Sequence, residues 1–213
     1  MKRAPRELDD QPSPAEQLLL DRLESEKEAP QEALWELALF YKKTRQFDKA
    51  LAHFGQMREL ARNLEEEAAC LLKLGQIMEG MRDYRQAARY YEEAEALEPR
   101  DGIVSYYINN NLGFSLNTLG DFVTGEIHCR KAIEIDPDLP NAHKNLGIAL
   151  SGQGRYREAA ECLVEATQQW PEDSRAFNLL TELLQDHPEL EVEFGDVARL
   201  CREAVEQARV RIH

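Results

Sequence analysis

The feature that most constrains this chain is an internal repeat with a period of 34 residues between Tyr106 and Pro171. The first copy carries Leu112-Gly113, Gly120, Phe122, Ala132 and Pro137, and the second carries Leu146-Gly147, Gly154, Tyr156, Ala166 and Pro171. A fixed period of this length indicates stacked supersecondary units. One unit cannot bury its own apolar face, so neighbouring units must bury it for one another.

Each copy has the pattern of two packed helices. Leu112, Leu116 and Leu119 recur at helical spacing and predict one apolar face. Gly113 and its equivalent lack a Cβ, which allows a second helix to approach closely. Pro137 follows the second helix, where the chain no longer has to be helical. The repeat therefore predicts a hairpin of two helices.

This pattern resembles the tetratricopeptide repeat (TPR) family over most of the chain. The resemblance implies an all-α fold, a right-handed superhelical solenoid of antiparallel helix pairs. We expect about five repeats, starting near residues 31, 68, 106, 140 and 174. The predicted domains are a disordered tail at 1–12, an N-terminal capping helix at 13–28 and the array at 29–213. The junctions before residues 68 and 106 are longer than in the strict repeat, which predicts helices extended by a turn.

The two ends of the array depart from the pattern. Ser13, Pro14 and Glu16 form a helix start, and that helix either caps the array or lies in its groove as an internal ligand. The first hinge has Arg45 where glycine is usual. The fifth repeat is degenerate and ends in a C-terminal capping helix, which we expect to begin near Asp196 and to end near Arg211.

Composition narrows the classes of function. The formal net charge is −14, which argues against nucleic-acid and acidic-membrane partners. We find no secretion signal, no apolar run long enough for a membrane span and no cysteine spacing typical of zinc or redox sites. The sequence predicts a cytoplasmic protein without a cofactor or metal. No catalytic constellation is present, His143 is expected to be structural, and we predict that the chain is not an enzyme.

The family resemblance places the first helix of each repeat along a concave groove. The candidate peptide-binding residues on these helices are Tyr107, Asn110, Asn111, Phe114, Asn141, Lys144, Asn145, Arg175 and Asn178. Further groove-facing positions are Asn117, Ile148, Ser151, Leu179, Glu182 and Gln185. Asparagine is unusually frequent here, although its short amide competes with the helix backbone.

An amide can both donate to and accept from one peptide unit of an extended ligand. Asn111 and Asn145 occupy the same offset and would form a two-rung ladder, similar to the asparagine ladder of some peptide-binding TPR superhelices. Lys144 and Arg175 would bind an acidic group. Tyr107 would supply an apolar anchor together with Phe114. The alternative is that these amides solvate an open face or bond neighbouring helices.

The carboxylate clamp of heat-shock co-chaperones is a related pattern, but only Asn145 and Arg175 match it. The sequence therefore favours a protein–protein interaction adaptor that binds an extended peptide of a partner through the asparagine ladder and a local basic spot. The alternative is a self-associating structural scaffold, a homo-oligomer that uses the N-terminal helix or the end faces.

Overall fold

A computed structural model describes residues 11–25 and 31–212, with side chains up to Val210. Its α-helices are α1 (Pro14–Ser25), α2 (Gln31–Lys43), α3 (Phe47–Glu59), α4 (Leu64–Gly80), α5 (Tyr84–Glu95), α6 (Gly102–Thr118), α7 (Phe122–Ile135), α8 (Pro140–Gly152), α9 (Tyr156–Gln169), α10 (Ser174–Asp186) and α11 (Glu191–Ile212). Consecutive helices pack on each other within each unit described below. The predicted all-α fold of stacked helix pairs is confirmed.

The chain forms two compact units that divide between Ala61 and Arg62. The first unit contains α1 to α3. Glu16 of α1 is buried, accepts a hydrogen bond from the Tyr41 hydroxyl at 2.9 Å and pairs with Lys49 Nζ at 2.8 Å. The hydrogen bond from Lys49 lowers the pKa of Glu16, and burial together with Glu16 raises the pKa of Tyr41 to about 12. The remainder of the predicted 1–12 tail and 13–28 helix lies outside the described residues.

The second unit contains α4 to α11, and its helix pairs meet at glycines. A Cβ on Gly75 would lie 2.4 Å from the Tyr91 ring, and one on Gly113 would lie 2.7 Å from Cys129 Sγ. A Cβ on Gly147 would likewise lie 2.8 Å from Leu163. The three glycines occupy one repeat position, so each first helix admits a side chain of its partner at the same point.

The hinges inside the first four helix pairs share one backbone conformation. Gly120 and Gly154 have positive φ angles of 86° and 75°, and the equivalent Arg45 and Arg82 have φ angles of 60° and 65°. The hinge at Arg45 therefore adopts the left-handed geometry of the others, although it lacks the glycine that favours this region.

The last hinge is different. A 3-10 helix at Pro188–Leu190 leads directly into α11, which begins at Glu191. The prediction that this helix begins near Asp196 was wrong, because Pro188 already supplies a helix-compatible φ at the start of the turn. Asp196 lies within the helix and pairs with Arg199 at 3.1 Å.

Two first helices are longer than the rest. α4 and α6 have 17 residues each, whereas α8 and α10 have 13. Asn63 and Asp101 cap the extended ends by accepting from the backbone N–H of Glu66 and Ile103, respectively. The additional residues between the repeat starts near 31, 68 and 106 thus lie in an extra turn of helix.

Candidate functional site

The face of the first helices in the second unit carries the predicted peptide-binding residues, and we call it the groove face. Tyr107 is 36% exposed and packs its ring edge-on against Tyr106, at a centroid distance of 5.3 Å. Phe114 is half-buried against Tyr84 at 5.9 Å. Asn178 is exposed on α10. These side chains lie on the surface that the resemblance assigns to a ligand.

Three of the groove-facing asparagines, Asn110, Asn117 and Asn145, are instead buried between α6 and α8. Asn145 Nδ2 donates to Asn110 Oδ1 at 3.0 Å, and Asn117 Nδ2 donates to the Asn145 carbonyl oxygen at 2.9 Å. Their exposed fractions are 5% for Asn110 and Asn117 and 2% for Asn145. We call these three residues the amide triad, and it joins α6 to α8.

The amide triad corrects the predicted ladder. Asn145 Nδ2 donates to both the Asn110 carbonyl oxygen, at 3.4 Å, and Asn110 Oδ1, and Asn145 is buried, so a ladder of Asn111 and Asn145 is not available in this arrangement. Asn110 is buried as well, and its nitrogen donates to Asn111 Oδ1 at 2.9 Å. Asn111 is half-buried and remains on the groove face. The alternative in which the amides bond neighbouring helices holds for the triad, and the burial of Asn145 removes one of the two residues that matched the carboxylate clamp.

The amide triad requires a glycine on the facing helix. An added Cβ on Gly125 of α7 would lie 2.1 Å from Asn117 Oδ1. The equivalent residue in the next repeat is Ala159, and there Ser151 takes the position of Asn117. Asn117 Oδ1 is buried without a hydrogen-bond partner among the described residues, as is Asn145 Oδ1.

Lys144 and Arg175, which form the predicted basic spot, lie in the first two turns of α8 and α10. Arg175 donates to both carboxylate oxygens of Asp173, and its Nη2 also donates to Asn141 Oδ1 at 3.0 Å. Lys144 is half-buried, and burial and the Arg175 charge lower its pKa, while Asp173 opposes this shift. The structure thus brings Asn141, Lys144 and Arg175 together. Burial also lowers the pKa of Lys73, a groove-facing residue of α4 that the site prediction missed.

An apolar cavity of about 310 Å³ lies between α8 and α10, and we call it the α8–α10 cavity. Its walls include Ile148, Leu163, Leu179 and Leu183, and the Phe122 ring closes it next to Gly152. Glu182, Asp186 and His187 line its rim. The His187 ring stacks on Tyr156 at 3.5 Å.

Sequence reasoning placed Ile148, Leu179 and Glu182 on this face but did not connect them into a cavity. It missed Phe122, which begins the second helix α7, and it missed His187, because the stretch at His187 interrupts the repeat pattern.

The other buried polar groups have structural roles. His143 Nε2 contacts the Pro137 carbonyl oxygen at 3.0 Å and holds the turn before α8, as expected for a structural histidine. His128 Nδ1 contacts Asn109 Oδ1 at 3.0 Å, and burial lowers the pKa of this histidine. All four cysteines are free thiols. None of the helices in the described part of the chain has the length and apolar character needed to cross a bilayer.

Comparison with known proteins identifies the family. Two tetratricopeptide repeat models match the sequence, one over residues 72–140 and one over residues 119–189. Together they cover more than half of the chain, so the chain belongs to the tetratricopeptide repeat family. A search of curated proteins gives no significant match.

Solved structures with the same fold include MamA and YrrB. MamA from Desulfovibrio magneticus RS-1, residues 41 to the end, gives a TM-score of 0.63 at 15% identity, over 84% of this chain and 93% of MamA. A double mutant of MamA RS-1 gives 0.65 at 15% identity, over 85% and 95%. YrrB, described as a TPR protein with an unusual peptide-binding site, gives 0.63 at 20% identity, over 91% and 96%. At these identities the likeness shows the fold.

Proposed function

We propose that this protein is a non-enzymatic adaptor that binds an extended peptide segment of a partner protein on its groove face. The observation that carries this proposal is the cluster of Asn141, Lys144 and Arg175 beside an open apolar cavity, on a chain whose net charge is −14. The peptide-binding site described for YrrB, which has the same fold, supports it. The overall negative charge disfavours nucleic acid as the partner. The free thiols agree with a cytoplasmic location.

The polar residues left accessible on the groove face suit a peptide backbone and an acidic group. The Oδ1 atoms of Asn111 and Asn141 already accept from Asn110 and Arg175, respectively, and each has a second lone pair that can accept from a peptide N–H. Lys144 supplies a positive charge that is partly shielded from water. A carboxylate bound next to it would form an ion pair that is stronger than one in bulk water. These residues replace the Asn111 and Asn145 ladder as the proposed recognition set.

A peptide array tests the proposal. The wild-type protein is expected to retain a subset of peptides that contain acidic residues, and Lys144→Glu is expected to lose most of that subset. The double variant Asn111→Ala/Asn141→Ala is expected to weaken capture of all bound peptides, since it removes backbone contacts. Arg209→Glu makes the same charge reversal on the distant α11 and serves as the control. Equal capture by wild type and Lys144→Glu would refute peptide binding at this face.

Self-association is a second candidate, favoured by the end surface of α10 and α11. A recess of about 580 Å³ lies between these helices, and Val192 at its edge is 96% exposed. Phe177 and Leu184 contribute its apolar lining. Light scattering of the wild type and of Val192→Glu tests this candidate. A concentration-dependent oligomer that the substitution dissociates would support it, and a monomer at all concentrations would refute it.

A further inference from the structure

The groove face of α8 and α10 changes character along the helix axes. On α10, Arg175 lies in the first turn, Leu179 one turn later, and Glu182 and Asp186 in the last two turns. On α8, Lys144 is likewise followed one turn later by Ile148. Both helices therefore run from basic through apolar to acidic or polar side chains, with the α8–α10 cavity at the apolar step.

Glu182 and Asp186 form the acidic end of this surface. No described residue forms an ion pair with Glu182 or Asp186, both of which are exposed. They are four residues apart on one helix, where like charges repel. They also lie at the C-terminal end of α10, where the helix dipole disfavours negative charge. A cationic side chain at the cavity rim would relieve both effects.

The distances fit an extended peptide. The rise per residue of an α-helix places Leu179 about 6 Å along the axis from Arg175, and it places Glu182 and Asp186 about 4.5 Å and about 10 Å beyond Leu179. An extended chain advances about 3.3 Å per residue, so two residues cover about 6.6 Å. Side chains at alternate positions of an extended chain point to the same side. Three alternate side chains can therefore reach the basic spot, the cavity and the acidic rim together.

We propose that the α8–α10 surface selects a short extended segment with an acidic, an apolar and a basic residue at alternate positions, the apolar side chain lying in the α8–α10 cavity. This inference rests on the proposed peptide-binding function and specifies its ligand. Apolar burial supplies most of the affinity, and the two charged ends define which residues flank the apolar one. The volume of about 310 Å³ accommodates a side chain of leucine or phenylalanine size.

Fluorescence polarisation with three labelled peptides tests the inference on the full chain. The first peptide carries aspartate, leucine and lysine at alternate positions in a glycine–serine background. The second has alanine in place of leucine, and the third has glutamate in place of lysine. We expect the second peptide to bind about tenfold or more weakly than the first, because the loss of buried methyl groups lowers affinity. We expect about a threefold loss for the third, a typical size for an exposed charge pair.

Two protein variants complete the test. Glu182→Lys reverses the rim charge on an exposed position, and it should make the third peptide bind better than the first. Glu134→Lys makes the same change on the exposed outer side of α7 and should leave the ranking of the peptides unchanged.

The outcomes separate the inference from the proposed function. Equal binding of the first and second peptides, with both weakened by Lys144→Glu, would overturn the ligand pattern and leave peptide binding intact. An unchanged ranking in Glu182→Lys would overturn the assignment of the basic residue to the acidic rim. Absence of saturable binding by all three peptides, or binding that Lys144→Glu does not affect, would overturn both proposals.

Discussion

The junction between α6 and α8 and the junction between α8 and α10 have different kinds of side chain at the same repeat positions. The first junction carries the amide triad of Asn110, Asn117 and Asn145; 34 residues on, the second carries Lys144, Ser151 and Leu179. The triad joins α6 to α8 through buried hydrogen bonds, and α8 packs more closely on α6 than α10 packs on α8. The second junction keeps a half-buried lysine and an apolar cavity.

One repeat framework therefore supports two kinds of junction. We call the α6–α8 junction sealed, because buried amides fill it, and the α8–α10 junction open, because it leaves a cavity and a half-buried lysine at the surface. A buried amide with a bonded neighbour stabilises and positions two helices, but it cannot recognise a ligand at the same time. An apolar and cationic set at the same positions leaves surface that a ligand can cover. The side chains at these three positions therefore distinguish a junction that is closed by buried amides from one that leaves accessible surface.

The largest expected effect comes from removing the centre of the amide triad. Asn145→Ala leaves the buried Asn110 Oδ1 without its donor and creates a small void, so we expect a loss of about 2–3 kcal/mol in the free energy of unfolding. Urea denaturation measures it. Asn178→Ala, at an exposed site on α10, is the matched control and should change stability by less than about 0.5 kcal/mol. An equal loss in the free energy of unfolding for Asn145→Ala and Asn178→Ala would contradict the stabilising role of the amide triad.

A smaller loss is expected when the glycine that faces the triad is filled. The Cβ of Gly125→Ala would lie 2.1 Å from Asn117 Oδ1, and we expect a destabilisation of about 1–2 kcal/mol after the better helix propensity of alanine is counted. Thermal and urea unfolding both report this change.

The next repeat supplies the compensating pair for this substitution. Ser151 and Ala159 stand there in place of Asn117 and Gly125, so Asn117→Ser should recover most of the stability lost in Gly125→Ala. A double-mutant cycle measures the coupling, which should be about 1 kcal/mol or more. Simple additivity of the two substitutions would show that the close contact does not determine the choice of glycine.

At the open junction we expect a gain in stability from Lys144→Met. The pKa of Lys144 is lowered in the folded chain below its ordinary value of 10.5, so the unfolded chain binds more protons in the range just below that value. Stability from this group therefore rises with pH in that range, and the charged lysine costs stability at pH 7. The melting temperature of Lys144→Met should rise by about 1–3 °C at pH 7, and this gain should fade as the pH approaches 10.5. A lower melting temperature at pH 7 would contradict the cost assigned to the buried charge.

The sequence was sufficient to predict the helix pairs and to assign side chains to the face of the first helices. The 34-residue period fixes which side chains recur on each helix, and Lys144 and Arg175 were correctly placed together. Periodicity could not distinguish the role of Asn111 from that of Asn145, because both occupy the same offset. Asn145 is buried against Asn110 of the preceding repeat, a contact between repeats that no spacing within one repeat reports.

The cavity could not be predicted for a related reason. It arises from what neighbouring helices leave unfilled, and Phe122 and His187 reach it from outside the regular pattern of first helices. The start of α11 was misplaced because an acidic residue before an apolar stripe suggested a cap at Asp196, whereas Pro188 begins the helical turn earlier. The predicted helix starts were therefore correct where the repeat is regular, and the start of α11 was wrong because a proline changes the last hinge.

The smallest expected effect concerns the acidic end of the open junction. Glu182→Gln removes one of two like charges a turn apart at the C-terminal end of α10, so the peptide-free protein should gain a few tenths of a kcal/mol. Differential scanning fluorimetry at low salt should show a melting temperature higher by about 1 °C. The gain should largely disappear at about 1 M salt, where exposed charges are screened within about 3 Å. A decrease in melting temperature at low salt would mean that Glu182 already has a favourable partner. A cationic side chain of a ligand would then gain little from binding at the acidic rim.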